Sequence, residues 1–236
     1  MHPMQFGSSC LLLSRQRRLS AWIGHRCCLR RTKFKLAVIG SGPAGFYFAS
    51  SLIRQSADFD IDIFDKAPVP FGLIRFGVAP DHPEVKNCIH QFEKLKQSPN
   101  NFEFRGNVAV GKDVKVSEIT DAYDAAVFAH GAGREKNLNL PNEFANNVFS
   151  ARDFVGWYNG VPENRALNPD LGRHDTAVIF GQGNVALDVA RILLSDVSRL
   201  QSTDTCEFAL EALSNSAIRR VVLVGRRGPL QLGWGR

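Results

Sequence analysis

Two short glycine-rich loops, each set between an apolar strand-like run and a helix-like run, constrain the fold of this 236-residue chain more than any other feature. The first loop is Gly40–Gly45 and the second is Gly181–Ala186. In such a loop the first glycine permits a tight turn, the second lets a pyrophosphate approach the backbone, and the third small residue lets the helix pack against the strand. The free N–H groups at the start of each helix then attract phosphates. The pattern predicts two dinucleotide sites.

The first loop lies in a β-turn-α-β unit. The apolar run Lys35–Ile39 precedes it, a helix-like stretch follows to Gln55, and a second strand is expected at Asp60–Phe64. This order requires parallel strands joined by a right-handed crossover. Asp65 stands at the end of the second strand, where an acid is placed to accept hydrogen bonds from a ribose hydroxyl.

The second loop has the same context and a different ending. Thr176–Phe180 precedes it, and the next strand, Ile218–Val224, leads to Arg226 and Arg227. Paired guanidinium groups hold a 2′-phosphate through charge-assisted bonds, whereas an acid would repel it, so this ending favours NADP(H) over NAD(H). A solvated basic turn is the alternative interpretation. One site of each kind indicates a relay in which NADPH gives hydride to a bound flavin.

The chain is therefore predicted to be an α/β protein with two tandem Rossmann-like dinucleotide-binding domains of the FAD/NAD(P)-binding fold, the second incomplete. We place an FAD-binding domain at 34–133, an irregular linker at 134–174 and an NADP-binding domain at 175–236. The segment 68–83 is too rich in Pro and Gly for a regular helix. Between the loops, a helix is expected over 84–96 and short strands over 102–104, 108–110 and 124–130.

The basic charge is concentrated in the leader. Residues 1–35 contain eight of the chain's 29 basic residues and no acid, and the first acid is Asp58. An Arg- and Ser-rich, acid-free segment with interspersed apolar residues is typical of a mitochondrial transit peptide, which we place at 1–33 as a disordered segment; a plain basic tail is the alternative. Without it the chain is slightly acidic, so the net charge of +6 does not indicate nucleic acid.

Neither metal nor dithiol chemistry is indicated. Cys88 and Cys206 are the cysteines outside the leader, and neither belongs to a CxxC pair. No stretch approaches the roughly 20 apolar residues of a membrane span. The 44% apolar and 22% charged composition is ordinary for a globular protein.

Five segments resemble the mitochondrial adrenodoxin reductases, a family of NADPH:ferredoxin reductases. They are IGSGPAGFY at 39–47, PVPFGLIRFGVAPDHPEVK at 68–86, FVGWYN at 154–159, GQGNVALDVAR at 181–191 and VGRRGPLQ at 224–231. The resemblance runs from about residue 35 to 231. It implies a monomeric, FAD-containing enzyme of the mitochondrial matrix, in peripheral contact with the inner membrane. Electrons would pass from NADPH through FAD singly to a [2Fe–2S] ferredoxin that supplies cytochromes P450 and iron–sulfur cluster assembly.

The resemblance also assigns residues. The expected FAD site comprises Gly40, Gly42, Ala44, Gly45, Asp65, Leu73 and Val110. The expected NADP site comprises Gln182, Gly183, Asn184, Val185, Arg226 and Arg227. His82 and Asp188 are expected near the flavin as a proton relay, with a loop histidine held by backbone as the alternative for His82. Asp65 replaces the family's usual glutamate, and the side chain, shorter by one methylene, should weaken the ribose contact.

After Gln231 the resemblance ends, and the chain finishes as LGWGR where the family continues. The family's remaining NADP-domain and FAD-domain segments and most of its ferredoxin-docking surface would lie beyond this point. We therefore expect low stability, weak flavin retention and little turnover. Two alternatives remain open: a catalytically silent truncated form that binds FAD or a partner, and another two-dinucleotide flavoenzyme such as a glutamate synthase small-subunit relative. The PFGLIR segment favours the ferredoxin reductase.

Overall fold

A computed structural model describes residues 12–14, 33–97, 102–133, 135–226 and 228; of 12–14, 96 and 97 it describes the backbone alone. The chain divides into two compact units. The first contains the described residues of Met1–Ile74 and Asn87–Gly133, and the second those of Arg75–Lys86 and Arg134–Arg236. No described helix is both long enough and apolar enough to cross a bilayer.

The first unit is built on a five-stranded sheet in the order β1-β5-β2-β3-β4. Its strands are β1 (Leu12–Ser14), β2 (Phe34–Ile39), β3 (Phe59–Phe64), β4 (Phe102–Arg105) and β5 (Ala125–Phe128). Strands β2 to β5 are parallel, as the two-sided apolar run of β2 predicts. The short β1 pairs antiparallel with β5, with Leu12 opposite Val127. The other residues of the leader predicted at 1–33, apart from Lys33, lie outside the described residues.

Helices and 3-10 turns flank this sheet. The α-helices are α1 (Pro43–Gln55), α2 (Gly72–Phe76, which reaches into the second unit), α3 (Cys88–Glu93) and α4 (Val116–Ala122). Proline at the first position of α1 starts that helix, because its fixed φ suits a helix and its missing N–H is not needed there. Phe46 of α1 stacks on Phe92 of α3 at 5.0 Å and contacts Phe71 at 4.9 Å, and these rings fill the core beneath β2 and β3.

The second unit pairs β6 (Thr176–Phe180) with β7 (Arg220–Val224) in parallel. Its helices are α5 (Ala151–Tyr158), α6 (Asn184–Leu194), α7 (Val197–Leu200) and α8 (Glu207–Ser214), and a 3-10 turn covers Pro162–Asn164. Its core joins aromatic side chains of α5 to aliphatic side chains of α6 to α8; the members buried most completely are Trp157, Tyr158, Ile192, Leu200 and Ala209.

The predicted α/β architecture, with a Rossmann-like parallel arrangement in each unit, is confirmed. The structure differs from the sequence predictions between the two loops. The segment 134–174, expected as an irregular linker, contains α5, whose Phe154 to Tyr158 are all buried in the core of the second unit. Sequence patterns miss a short amphipathic helix when the helix-breaking residues Pro and Gly are frequent on both sides of it.

Three smaller differences share one cause, which is backbone geometry that apolar periodicity does not record. The helix expected over 84–96 is a 3-10 turn (Pro83–Asn87), then α3, then a second 3-10 turn (Lys94–Gln97). The strand expected at 108–110 is a single bridge between Val110 and Val114. Helices α2, α4, α7 and α8 were not predicted, and α2 lies within the segment 68–83, where the sequence analysis expected no regular helix.

Candidate functional site: two glycine loops and the strand ends beside them

The first loop has the geometry of a phosphate cradle. Gly40 has φ +110°, and a Cβ there would lie 2.5 Å from the carbonyl oxygen of Ala129, so this turn requires glycine. A Cβ at Gly45 would lie 2.2 Å from the Gly40 oxygen, which brings α1 against the turn. A Cβ at Gly42 would meet nothing within 4 Å, so the space beside this backbone is open. The close contacts at Gly40 and Gly45 fit the predicted roles in the turn and in helix packing, and the approach of a pyrophosphate at Gly42 stays a prediction.

The start of α1 is free to bind an anion. Gly42 is its N-cap, no side chain caps it, and its first turn contains no acid. Its N–H groups therefore keep both their hydrogen-bonding capacity and the positive end of the helix dipole. Ala44 lies exposed in this turn. These features fit the pyrophosphate of a dinucleotide.

Asp65 lies beside this loop, as expected, but its carboxylate already binds the protein. Its Oδ2 accepts hydrogen bonds from the Ser41 backbone N at 2.7 Å and from Ser41 Oγ at 2.6 Å. Its Oδ1 accepts one from the Ala67 backbone N at 2.9 Å. A carboxylate offers about four lone-pair positions, so a ribose hydroxyl still has an acceptor. Ser41, fully buried, was missed by the sequence reasoning because a serine between two glycines carries no pattern of its own.

The predicted residues Leu73 and Val110 occupy different settings in the first unit. The Phe71 N–H donates to the Ser41 carbonyl at 2.9 Å, and a Cβ on Gly72 would lie 3.2 Å from the Gly42 Cα. Leu73, which follows, is 70% exposed, so it lies next to the loop with its side chain available to a ligand. Val110 packs partly buried against the smaller core of this unit.

The second loop repeats the geometry of the first. Gly181 has φ +136°, and a Cβ at Gly183 would meet nothing within 4 Å. Gly183 is the N-cap of α6, again without a side-chain cap or an acid in the first turn. Asn184 and Val185 are exposed in that turn, whereas Ala186 is buried against the turn that precedes it.

A matching hydrogen bond places each strand end beside its loop. The Gly40 N–H donates to the Phe64 carbonyl at 2.8 Å, and the Gly181 N–H donates to the Val224 carbonyl at 2.9 Å. The residue after Phe64 is Asp65. The position after Val224 is a glycine, followed by the exposed Arg226. The two units therefore have opposite charges just beyond the matching strand ends, Asp65 one residue after its strand and Arg226 two residues after its own.

The second loop also touches the glycine that precedes Arg226. A Cβ on Gly225 would lie 2.1 Å from Gln182 Oε1, so the Gln182 side chain lies across this glycine. The second loop is therefore in contact with the residue that precedes Arg226. Arg227 lies outside the described residues, so its expected role stays a prediction.

The structure places His82 and Asp188, the two predicted relay residues, in separate contacts within the second unit. His82 Nδ1 lies 3.0 Å from Glu84 Oε1 in an exposed pair. Asp188 Oδ1 lies 2.9 Å from an Arg191 nitrogen, one turn along α6. Arg191 also binds Asp81, the neighbour of His82, with two bonds of 2.8 and 2.9 Å.

A buried tyrosine lies near these charges. Tyr158 is fully buried, and its hydroxyl has no hydrogen-bond partner among the described residues. Burial, and after it the negative charges of Asp188 and Asp81, raise the pKa of Tyr158 well above its usual value. Sequence reasoning missed Tyr158, Asp81 and Arg191; the spacing of Asp188 and Arg191, three residues apart on a helix, was the available signal.

No cluster of His, Cys, Asp or Glu within the described part of the chain is arranged to hold a metal ion. Neither Cys88 nor Cys206 forms a disulfide with a described residue, and burial raises the pKa of Cys206. A raised thiol pKa lowers the fraction of reactive thiolate.

The sequence is similar to those of known oxidoreductases. The sequence profile of the pyridine nucleotide-disulphide oxidoreductase family matches residues 34–226. The mitochondrial NADPH:adrenodoxin oxidoreductase of Bos taurus is 56% identical over 200 residues, which are 85% of this chain and 40% of that protein. The corresponding protein of Salvelinus fontinalis is 55% identical over 198 residues, which are 84% of this chain and 39% of that protein.

A solved structure has a similar fold. Mycobacterium tuberculosis FprA in complex with NADPH superposes with a TM-score of 0.81 at 46% identity, over 85% of this chain and 45% of that chain. The chain thus spans about 40% of the length of the curated relatives it matches.

Proposed function

We propose that this chain, which belongs to the pyridine nucleotide-disulphide oxidoreductase family, binds FAD at its first glycine loop and NADP(H) at its second, in an NADPH-dependent reductase of a [2Fe–2S] ferredoxin. One observation carries the proposal. Two strand–loop–helix–strand units have the same hydrogen bond from loop to strand end, and they present a carboxylate in the first unit and an arginine in the second.

The first unit is proposed to hold the adenine dinucleotide of FAD. The uncapped N-terminus of α1 and the open backbone at Gly42 receive the pyrophosphate. Asp65 accepts the ribose hydroxyls with the lone pairs that Ser41 and Ala67 leave free. Leu73 and Val110 are proposed as further flavin contacts.

The second unit is proposed to hold NADP(H). Residues Gln182 to Val185 present backbone N–H groups at the start of α6 to the pyrophosphate. Arg226, together with Arg227, binds the 2′-phosphate, which NAD(H) lacks. Bound FAD would supply the redox chemistry by accepting a hydride from NADPH and releasing electrons singly. The protein orients the two nucleotides, and His82 and Asp188 are proposed to move the accompanying proton.

The proposals for the electron acceptor and for the cellular location are based on the names of the relatives. The bovine and Salvelinus proteins are named as mitochondrial reductases of adrenodoxin. We propose a ferredoxin of that kind as the partner, a monomer as the working state, and the mitochondrial matrix, with peripheral contact to the inner membrane, as the site. The basic leader is the feature of this chain that supports import.

The proposal is tested on the full chain, reconstituted with FAD. The proposal predicts a yellow protein whose flavin bands NADPH bleaches anaerobically, with NADH much less effective. A chain that retains flavin but is not reduced by NADPH would indicate the silent form, which binds cofactor without turnover. A chain that retains no flavin would overturn the FAD assignment.

A substitution tests the second site independently of the flavin. Arg226→Ser removes a charge-assisted contact of about 1.5–3 kcal/mol, so the Kd for NADPH should rise by about ten-fold or more. The Kd for NADH should hardly change, because NADH has no 2′-phosphate. The matched control is Arg173→Ser, an exposed arginine of the same unit, which should leave both constants unchanged. Equal weakening of NADPH and NADH by Arg226→Ser would contradict the assignment.

A further inference from the structure

We infer that Arg191 is a positioning residue for the proposed proton relay. Its guanidinium fixes the Arg75–Lys86 segment to α6 through Asp81 and holds Asp188 at the same time. One cation thereby sets the positions of both proposed relay residues, His82 and Asp188. The inference rests on the proposed function, because His82 and Asp188 have their role only there.

The Arg75–Lys86 segment belongs to the second unit although it interrupts the chain of the first. Its residues Ala79 and Pro80 are fully buried. Two polar contacts flank them: Asn159 Nδ2 donates to the Phe76 carbonyl at 3.2 Å, and Lys86 Nζ lies 2.6 Å from Asp204 Oδ2. The segment is thus packed at both ends, and Asp81 lies between these contacts.

Arg191 fixes the middle of the segment. Its Nε donates to Asp81 Oδ2 at 2.8 Å and its Nη2 to Asp81 Oδ1 at 2.9 Å, a bidentate pair. Its Nη1 lies 2.9 Å from Asp188 Oδ1. All three guanidinium nitrogens are therefore engaged. A lysine ammonium, a single point charge, cannot reproduce this planar bridge between two carboxylates.

The bridge is more than a surface ion pair. The Asp81 and Asp188 side chains are 19% and 23% exposed, and their charges act on the buried hydroxyl of Tyr158. The hydrogen bond from Arg191 holds the pKa of Asp81 below its usual value. Without the arginine, two carboxylates would share a poorly solvated place beside an unpaired phenol, and their repulsion would move the segment away from α6.

The position of His82 depends on this contact. Its backbone N–H donates to the Ala79 carbonyl at 3.0 Å, and its own carbonyl accepts from Val85 at 3.2 Å, in the turn that Asp81 closes. Release of Asp81 would loosen that turn and displace His82 relative to Asp188. Catalysis is sensitive to such displacements, since a misplacement of about 1 Å can cost about 10²-fold in rate.

Hydrogen–deuterium exchange on the full chain tests, without any cofactor, whether Arg191 holds the Arg75–Lys86 segment in place. In Arg191→Met and in Arg191→Lys, we expect faster amide exchange over residues 79–86. Exchange in α1 and the first glycine loop should stay unchanged. Arg173→Met, the matched control, should exchange like the parent. Parent-like exchange over 79–86 in Arg191→Lys would overturn the inference, because a charge alone would then suffice.

If Arg191→Met unfolds the second unit, Asp81→Asn tests the same contact from its other side. This change leaves Arg191 paired with Asp188 and should reproduce the loosening of 79–86. Combined with Arg191→Lys, it should add little to either change alone, as expected for two partners in one contact. Additive effects would overturn the inference.

A second experiment measures flavin reduction in the chain loaded with FAD. Flavin reduction at saturating NADPH should slow by about 10²-fold in Arg191→Lys while the Kd for NADPH stays near the parent value. A raised Kd with an unchanged rate would overturn the positioning role. A parent chain that holds no flavin would overturn the proposed function. The exchange experiment would still show whether Arg191 fixes the Arg75–Lys86 segment to α6.

Discussion

Gly42 and Gly45 lie three residues apart in the first glycine loop, yet only Gly42 has room for a side chain. A Cβ on Gly45 would lie 2.2 Å from the Gly40 carbonyl oxygen, whereas a Cβ on Gly42 would meet nothing within 4 Å. Folding therefore depends on Gly45, and the approach of a ligand depends on Gly42. Identical substitutions at the two positions separate these roles.

We expect Gly45→Ala to lower the free energy of unfolding by about 1–3 kcal/mol, because helix and turn must move apart. Gly42→Ala should keep parental stability in urea titrations and bind FAD more weakly in fluorescence titrations. Gly133→Ala, at another open glycine of the first unit, is the control and should change neither quantity. Loss of stability in Gly42→Ala equal to that in Gly45→Ala would refute the division of roles.

Tyr123 gives the first unit a specific response to alkaline pH. Burial, and then the hydrogen bond that its hydroxyl donates to Asp62, raise the pKa of Tyr123 to about 12. An unfolded tyrosine ionises near pH 10. The folded chain therefore binds this proton more tightly than the unfolded chain does. The resulting stability is fully present below about pH 10 and is lost as the pH rises toward 12.

Tyr123→Phe removes this titration, so we expect its unfolding free energy to fall less steeply than that of the parent between pH 10 and 12. Urea titrations at a series of pH values measure the difference. Tyr47→Phe, at a half-exposed tyrosine of α1, controls for general alkaline effects such as lysine deprotonation. Parallel curves for Tyr123→Phe and the parent would show that the buried hydroxyl does not contribute.

At the level of elements, α5 shows that the segment 134–174 is part of a core. Its Phe154 and Trp157 rings lie 5.2 Å apart, and Trp157 also contacts Phe208 of α8 at 6.2 Å. Ser150 caps the helix by accepting a hydrogen bond from the Asp153 N–H at 3.0 Å. A capped helix with a buried aromatic face contributes to the stability of the second unit far more than a linker would.

Trp157→Ala should lower the unfolding free energy of the second unit by about 3–5 kcal/mol, as expected for deletion of a buried large aromatic side chain. Phe144→Ala is the matched control in the same segment, because Phe144 is 81% exposed. Its unfolding free energy should differ little from that of the parent. If urea titrations found both variants equally stable, α5 would not belong to the core.

At the scale of the whole molecule, an exposed apolar surface on the second unit favours association between chains. Residues Val178 and Phe180 of β6 lie in register with Val222 and Val224 of β7, and all four are 40% to 64% exposed. The alternate residues, such as Ile179 and Val221, pack against the core. One face of this parallel pair is therefore apolar and open to solvent, although parallel sheets are normally covered on both faces.

Phe180→Lys should reduce concentration-dependent association of the full chain, because it places a charge at the most exposed residue of this apolar face. Size-exclusion chromatography with light scattering over a range of concentrations measures the effect. Leu194→Lys is a control, since it adds the same charge at an exposed apolar position at the end of α6. Equal improvement by both variants would mean that net charge, and not this face, controls association.

The sequence by itself determined the two loops, the strands and helices that bracket them, the parallel topology and the opposite charges of Asp65 and Arg226. These features follow from local rules: glycine where φ is positive or contact is close, apolar runs for buried strands, and a polar residue where a strand ends. The loop glycines could be predicted one by one, because each depends on the backbone beside it.

Only the tertiary structure decided which distant residues meet. Asp81 and Arg191 are separated by 110 positions, and no local pattern records that they form a pair. The same holds for the Ser41 contact with Asp65, for the place of Arg75–Lys86 in the second unit and for the buried helix in the supposed linker. Such contacts depend on how packed elements bring their side chains together, and that information resides in the folded chain rather than in any stretch of it.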